Sequence, residues 1–465
     1  MSAPLSIINP ATEVLVQAIP TDDAAAVKQK AAAARAAQPD WAARPLVERM
    51  AAIARFRDLL AQQQDDLAAT LTLETGKPIT QAKNEISATS GRVAFFLDAV
   101  QQAIAPEITH PEPTSIPGTA PLEEVITHDP LGVIANISAW NYPYFVGSNV
   151  FIPALLTGNA VLYKPSEFAT LTGQAIAHLL HTAGVPQEVF IPVMGDGATG
   201  ANLLEQPLNG VFFTGSYATG QKIAAAAAAQ LAKVQLELGG KDPAYVCDDV
   251  LDVAAVAAAL ADGAFYNNGQ SCCAVERLYI HAAVYDQFVE AFLETVGGFV
   301  MGDPSDTNTY LGPVSRQVHL DELARQVKDA VSQGATLRCG GHRIEGTGWY
   351  FAPTVLTEVT HAMAVMRDET FGPIIGLQKV ESDAEAIALM NDTAYGLTAA
   401  VYSRDRQRAV AILSQINSGT AYWNCCDRVS PYLPWTGRGH SGVGTTLSVE
   451  GIRTFTQPRG WHLKS

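Results

Sequence analysis

Residues 132–167 read GVIANISAWNYPYFVGSNVFIPALLTGNAVLYKPSE. A short β-branched run opens the segment and a second, NAVLYKP, closes it. Between them, residues 144–156 form an apolar stretch of helical length. Pro143 suits the first helical turn, where an N–H would go unused. Strand, helix and strand in this order make a βαβ unit, whose parallel strands need a crossover of this size.

The alternation extends downstream. A helix at 169–183 is followed by VFIPVMGDG, another helix and GVFFTGS. Then come AKVQLELGG, a helix at 253–267, ERLYIHA and a helix at 284–296. The runs TVLTEV, GLQKV and TAAVYS lead to a last helix at 405–416. Such spacing marks parallel sheets covered by helices, and two βα-rich stretches predict two α/β lobes with a site between them. Upstream, the first hundred residues read as helices. One follows Thr21, Asp22 and Asp23 and ends before Pro39, a second follows Pro45, and a third spans 65–72. The Pro-rich residues 106–121 read as an extended linker or edge arm.

Composition narrows the function. The chain has 465 residues, 48% apolar and 16% charged, enough to fill large cores. Its 46 acidic against 30 basic side chains leave a net charge of −16, which argues against nucleic-acid and anionic-membrane partners. No apolar run approaches the roughly 18 residues that cross a bilayer. The start lacks a basic segment ahead of Asp22, so no signal peptide is expected. Six cysteines, none in C-x-x-C, fit neither a disulfide scaffold nor a zinc site; the cytoplasm is the expected compartment, and no metal is expected.

Six segments carry chemistry. In Gly269-Gln270-Ser271-Cys272-Cys273-Ala274 a glycine turn can expose a thiol, a nucleophile towards carbonyl carbon, beside N–H groups able to hold an oxyanion. The residues alone leave Cys272 and Cys273 open. For Cys247, Cys339, Cys425 and Cys426 the preferred reading is a small buried apolar group. Glu237, in LELGGK, is flanked by leucines. Desolvation would suit it to general-base work, unless it simply pairs with Lys241. The turn Phe213-Thr214-Gly215-Ser216-Tyr217-Ala218-Thr219-Gly220 can bind a pyrophosphate. Gln221 and Tyr217, however, depart from the phosphate-loop and dinucleotide fingerprints. Trp140-Asn141-Tyr142-Pro143 offers an amide donor or a plain helix cap. Tyr163-Lys164-Pro165-Ser166-Glu167 ends a strand and offers a carboxylate to ribose hydroxyls. Glu369-Thr370-Phe371-Gly372-Pro373 joins an acid and an aromatic ring in one loop.

In this order and at these separations the six segments resemble the aldehyde dehydrogenase superfamily, from Asn9-Pro10-Ala11-Thr12 to Ser441-Gly442-Val443-Gly444. The resemblance implies an α/β fold: a Rossmann-like NAD-binding domain (1–111 and 131–239), an α/β catalytic domain (240–444) and a small β oligomerisation arm (112–130 and 445–465). It implies NAD-dependent oxidation of a small-molecule aldehyde to the acid through a thiohemiacetal and thioester. Cys272 matches the nucleophile, Glu237 the general base and Asn141 the oxyanion donor. For the cofactor, Lys164 and Glu167 match the adenosine-ribose positions, and Gly215, Ser216 and Gly220 the pyrophosphate turn. Glu369 and Phe371 match the nicotinamide positions, Gly195 and Gly197 a glycine loop near the adenine, and Trp140 the cofactor side of the oxyanion turn. The substrate tunnel is expected at Tyr142, Val146, Asn149, Ser271, Cys273, Arg428, Val429 and Trp435. Asn149, Trp435 and Thr436 depart from common relatives, and Arg428 could pair with a substrate carboxylate. NAD is favoured over NADP because the Glu167 carboxylate repels a 2′-phosphate. A homodimer or homotetramer is expected. The alternatives are a CoA-acylating relative, a non-catalytic scaffold and a cysteine hydrolase. The first often lacks the base that Glu237 supplies, the second is opposed by the full set of catalytic side chains, and the third has no His within the six segments.

Overall fold

Five parallel strands build the first sheet of the computed structural model, which describes residues 3–110 and 122–464. In spatial order they are Lys233–Glu237, Gly210–Thr214, Val133–Ile137, Ala160–Lys164 and Phe190–Pro192; Gly442–Val443 joins the outer edge antiparallel. Val133–Ile137, Ala160–Lys164 and Gly210–Thr214 are buried at every residue, as a sheet covered on both faces requires. Chain order reverses at Val133–Ile137, which pairs with both Ala160–Lys164 and Gly210–Thr214. At such a switch point the connections leave in opposite directions and open a crevice beyond the carboxyl ends. Ser138, Lys164, Gly215 and Leu238 all stand there.

The second sheet has seven strands, in the order Thr336–Cys339, Thr354–Thr357, Ile374–Val380, Val275–His281, Asp242–Val246, Thr398–Tyr402 and Thr420–Trp423. Only Thr336–Cys339 runs antiparallel to its neighbour. Cys272 precedes Val275–His281 and Glu369–Phe371 precedes Ile374–Val380, so both candidate segments enter the site from amino ends of this sheet.

A third, antiparallel sheet joins Glu107–His110, Leu122–Pro130 and Thr456–Lys464. Residues 112–121 of the expected arm lie outside the described residues. The arm sheet recruits Glu107–His110, assigned above to the first domain. It begins at Thr456 and not at 445, because Leu447, Ile452 and Phe455 pack into the core beneath the first sheet. Gly442–Val443, assigned above to the catalytic domain, hydrogen-bonds into the first sheet.

The amino-terminal part differs from the all-helical expectation. Leu5–Ile8 and Leu15–Ile19 form a hairpin that buries Ile7 and Ile19. The first helix, Ala24–Ala43, runs through Pro39. An interior proline costs about 3 kcal/mol. Beyond it Trp41 is 1% exposed and its indole N–H donates to the Leu155 carbonyl at 2.9 Å, which ties the last turn to the core. Helices Leu46–Gln62 and Gln64–Thr75 follow, then Ile79–Ala103, which the helical reading of the first hundred residues covered without giving it bounds. Its inward stripe includes Glu85, Thr89, Arg92 and Phe96, all buried. Three polar residues on that stripe break the apolar periodicity that reveals a helix. Among the described residues no helix is long and apolar enough to cross a membrane.

Candidate active site

Cys272 owes its position to an unusual turn. Helix Val253–Phe265 ends in the 3-10 turn Tyr266–Gly269, where Asn267, Asn268 and Gly269 have φ of 53°, 57° and 68°. Asn tolerates this left-handed region better than most residues. Side-chain bonds secure it: Gln81 accepts from the Asn267 N–H at 2.9 Å, and the Asn268 amide donates to the Gly312 carbonyl at 2.6 Å. At Gly269 a Cβ would strike the Gly372 carbonyl. The chain thus turns sharply and leaves Cys272 partly exposed while Gln270, Ser271 and Cys273 are buried. The Asn141 amide donates to the Gln270 carbonyl at 3.0 Å, which holds it against the same turn.

Glu237 closes the strand Lys233–Glu237 and is 7% exposed. Gln235 and Thr446 donate to its Oε1 at 2.6 and 3.0 Å. Burial pushes its carboxyl up to about 8, against the lowering effect of these bonds. It does not pair with Lys241. That lysine is buried and forms an ion pair with Glu276 at 2.7 Å. Glu276 in turn accepts the N–H groups of Thr370 and Phe371 at 2.8 and 2.9 Å, so the Lys241–Glu276 pair fixes the loop that presents Glu369 and Phe371. Glu369 accepts from the Gly240 N–H at 3.1 Å, and a Cβ at Gly239 would collide with its carboxylate. Burial, reinforced by the Glu276 charge, lifts Glu369 to about 8.

Two cavities converge on this turn. One, of about 440 Å³, lies in the crevice of the first sheet. Trp140, Asn141, Lys164 and Glu167 line it, as do Gly197, Gly215, Ser216, Glu237, Glu369 and Phe371. Gly195 and Gly220, named above as cofactor residues, stand behind its wall. A Cβ at Gly195 would strike the Thr199 side chain, and one at Gly220 would meet Leu238 at 2.7 Å, so each glycine lets an element approach closely. Ser216 precedes the helix Tyr217–Ala229 and its side chain caps none of the first N–H groups. Those donors suit a pyrophosphate. Arg316, missed by the sequence reading, lines the same crevice near the Trp140 and Phe168 rings, with its Nε buried and unpartnered among the described residues. The open helix end and this free donor fit a dinucleotide.

The second cavity, about 460 Å³, is lined by all eight expected tunnel residues: Tyr142, Val146, Asn149, Ser271, Cys273, Arg428, Val429 and Trp435. Arg428 is exposed at its rim. Cys425 and Cys426, read above as core residues, are only partly buried and line it too. Asp427, Glu85 and Arg92 also reach it, none of them singled out from sequence. Cys272 lines both cavities.

A family model described as the aldehyde dehydrogenase family matches residues 2–460. The chain is 35% identical over 457 residues to the succinate-semialdehyde dehydrogenase (NADP+) of Deinococcus radiodurans, across 98% of this chain and 94% of that one. It is 37% identical over 459 residues to the 3,6-anhydro-alpha-L-galactose dehydrogenase of Streptomyces coelicolor, across 97% of this chain and 91% of that one. Among solved structures, lactaldehyde dehydrogenase from Escherichia coli superposes with a TM-score of 0.95 at 32% identity, covering 100% of this chain and 96% of that one.

Proposed function

This chain belongs to the aldehyde dehydrogenase family and oxidises aldehydes with a nicotinamide dinucleotide, and we propose that it does so through a thioester on Cys272, with NAD as the preferred cofactor. The observation that carries the reading is that Cys272 lines both the crevice of the first sheet and the second cavity. A nucleophile at that junction can hold a substrate carbon from one side and present it to a cofactor from the other.

The Cys272 thiolate adds to the aldehyde carbon. The Asn141 amide and the Cys272 backbone N–H receive the oxyanion, and donors of this kind are worth about 3 kcal/mol each. When bound, the nicotinamide dinucleotide supplies the hydride acceptor. Lys164 and Glu167 would hold its adenosine ribose, the turn at Gly215 and Ser216 its pyrophosphate, and Glu369 and Phe371 its nicotinamide end. Cys272 then carries a thioester. Glu237 takes a proton from the water that hydrolyses it, so the acid leaves and the thiol is restored.

Glu167 supports NAD, because a carboxylate at the adenosine ribose repels a 2′-phosphate. Lys222 and Arg316 line the same crevice and favour the phosphate, and the Deinococcus radiodurans relative is named for NADP(+). The ratio of kcat/KM for the two cofactors therefore decides the matter. We expect it to favour NAD and to narrow in Glu167→Ala; equal values in the unaltered enzyme would overturn the preference. For the nucleophile, mass spectrometry of enzyme quenched during turnover should find the acyl group on the peptide bearing Cys272, and Cys272→Ala should abolish NADH formation. Acyl-CoA as the product would replace hydrolysis with transfer to CoA. Six free cysteines support a reducing compartment, the cytoplasm, and the exposed arm sheet supports a homo-oligomer.

A further inference from the structure

We propose that the aldehydes this site takes carry a carboxylate at the end remote from the carbonyl, and that Arg92, oriented by Asn149, binds it. The proposal rests on Cys272 being the nucleophile of the same cavity.

Arg92 projects from the helix Ile79–Ala103, lines the 460 Å³ cavity and is 2% exposed. Its guanidinium lies over the Phe145 ring, 3.3 Å from the centroid. Nη1 donates to the Asn149 Oδ1 at 2.6 Å and Nη2 to the Val429 carbonyl at 3.1 Å. Nε is buried and has no partner among the described residues. A guanidinium has five N–H donors, so most of this one's capacity is unused.

Among the described residues no carboxylate compensates the charge. The acids on the cavity wall are committed elsewhere. Glu85 is paired with Lys77 and accepts the N–H groups of Tyr144 and Phe145. Asp262 accepts from the Tyr310 hydroxyl at 2.6 Å, and Asp427 from the Cys273 thiol at 3.0 Å. Among the described residues Arg92 has no ion pair, and a buried cation without a counter-ion is costly. Burial pulls its pKa down to about 9, so it stays charged at neutral pH.

Asn149 sharpens the inference. An Asp there would neutralise the guanidinium, whereas an amide oxygen orients it and leaves the charge for a ligand. Guanidinium and carboxylate match as two parallel hydrogen bonds. Arg92 and Cys272 line the same cavity of about 460 Å³, which takes a short chain between the bound anion and the reacting carbon.

The test compares 4-oxobutanoate with butanal, which has the same number of carbons and no charge. We expect kcat/KM to favour 4-oxobutanoate by about 100-fold, mostly through KM, the size of a charge-assisted pair. Asn149→Asp removes no buried cation and should bring the ratio to within about tenfold, as should Arg92→Gln if it folds. A binding readout runs without turnover: succinate should slow alkylation of Cys272 by iodoacetamide in the unaltered enzyme and not in Asn149→Asp. Equal kcat/KM for the two aldehydes, a preference for glycolaldehyde over 4-oxobutanoate, or equal protection by succinate in both proteins would overturn the proposal. If no aldehyde yields NADH, the reading of the reaction fails, and the protection experiment still decides Arg92.

Discussion

Glu237 shows how one position serves two demands. The chain places a carboxylate between leucines at the end of a strand, and burial lifts it to about 8. Gln235 and Thr446 donate to the same oxygen, which limits that rise and fixes the group's direction. Only the ionised form can take a proton from water. With the carboxyl at about 8, about a tenth of it is ionised at pH 7 and about nine tenths at pH 9. We therefore expect the rate of thioester hydrolysis to climb about tenfold across that interval, following one ionisation. Stability runs the other way. The folded value lies above the unfolded one, so what the protonated carboxyl contributes at acid pH is lost as pH rises through about 8. Glu237→Gln should abolish the rising limb while leaving the first burst of NADH, since acylation of Cys272 does not need this base. A flat pH profile in the unaltered enzyme would remove Glu237 from the role.

The element that decides reactivity is the turn Tyr266–Gly269. Three successive left-handed residues are rare because each non-glycine one costs about 1 kcal/mol, and here two asparagines and one glycine share the load. Gly269→Ala adds that backbone cost and a collision with the Gly372 carbonyl, an atom that cannot swing aside as a side chain could. We expect a lower melting temperature and slower alkylation of Cys272; unchanged values for both would show that the turn tolerates a side chain. This turn was half legible. GQSCC announces a glycine bend before a strand, but the pair of asparagines carries no periodic signal, and their hydrogen bonds to Gln81, Gly312 and Asn141 come from distant parts of the chain. The helix Ile79–Ala103 was less legible still. Its inward face holds Glu85 and Arg92, so the polar residues that do the work erase the pattern that would reveal the helix. The strands and their crossover helices were readable because they are apolar throughout or bounded by Gly and Pro. Asn149 and the other tunnel residues could be named because they flank readable motifs, whereas Arg92 reaches the same cavity from a helix that carries no such motif.

At the scale of the whole molecule, strands and loops of two sheets line a shared cleft, and the described residues of the third line neither cavity. Thr456–Lys464 pairs with Leu122–Pro130 in an unbroken antiparallel register from Thr456 opposite Pro130 to Lys464 opposite Leu122. Arg453 ties this sheet to the body through an ion pair with Glu107 at 2.7 Å and a bond to the Ala103 carbonyl. Beyond Thr456 every described residue of the strand is exposed, and Ile108, Trp461 and Leu463 present apolar surface at 59%, 41% and 46% exposure. Thr456–Lys464 also forms an edge of its sheet. A long, exposed, partly apolar edge strand invites pairing or aggregation, and the homo-oligomer proposed above would cover it with a second copy of the chain. The cleft and both cavities lie in the body, so on the proposal of a homo-oligomer the arm serves assembly. Deleting residues 456–465 should therefore reduce the mass measured by light scattering to that of a monomer while leaving nucleotide binding intact. An unaltered chain that is already monomeric, or a shortened one that keeps the full assembly, would move the interface away from the arm.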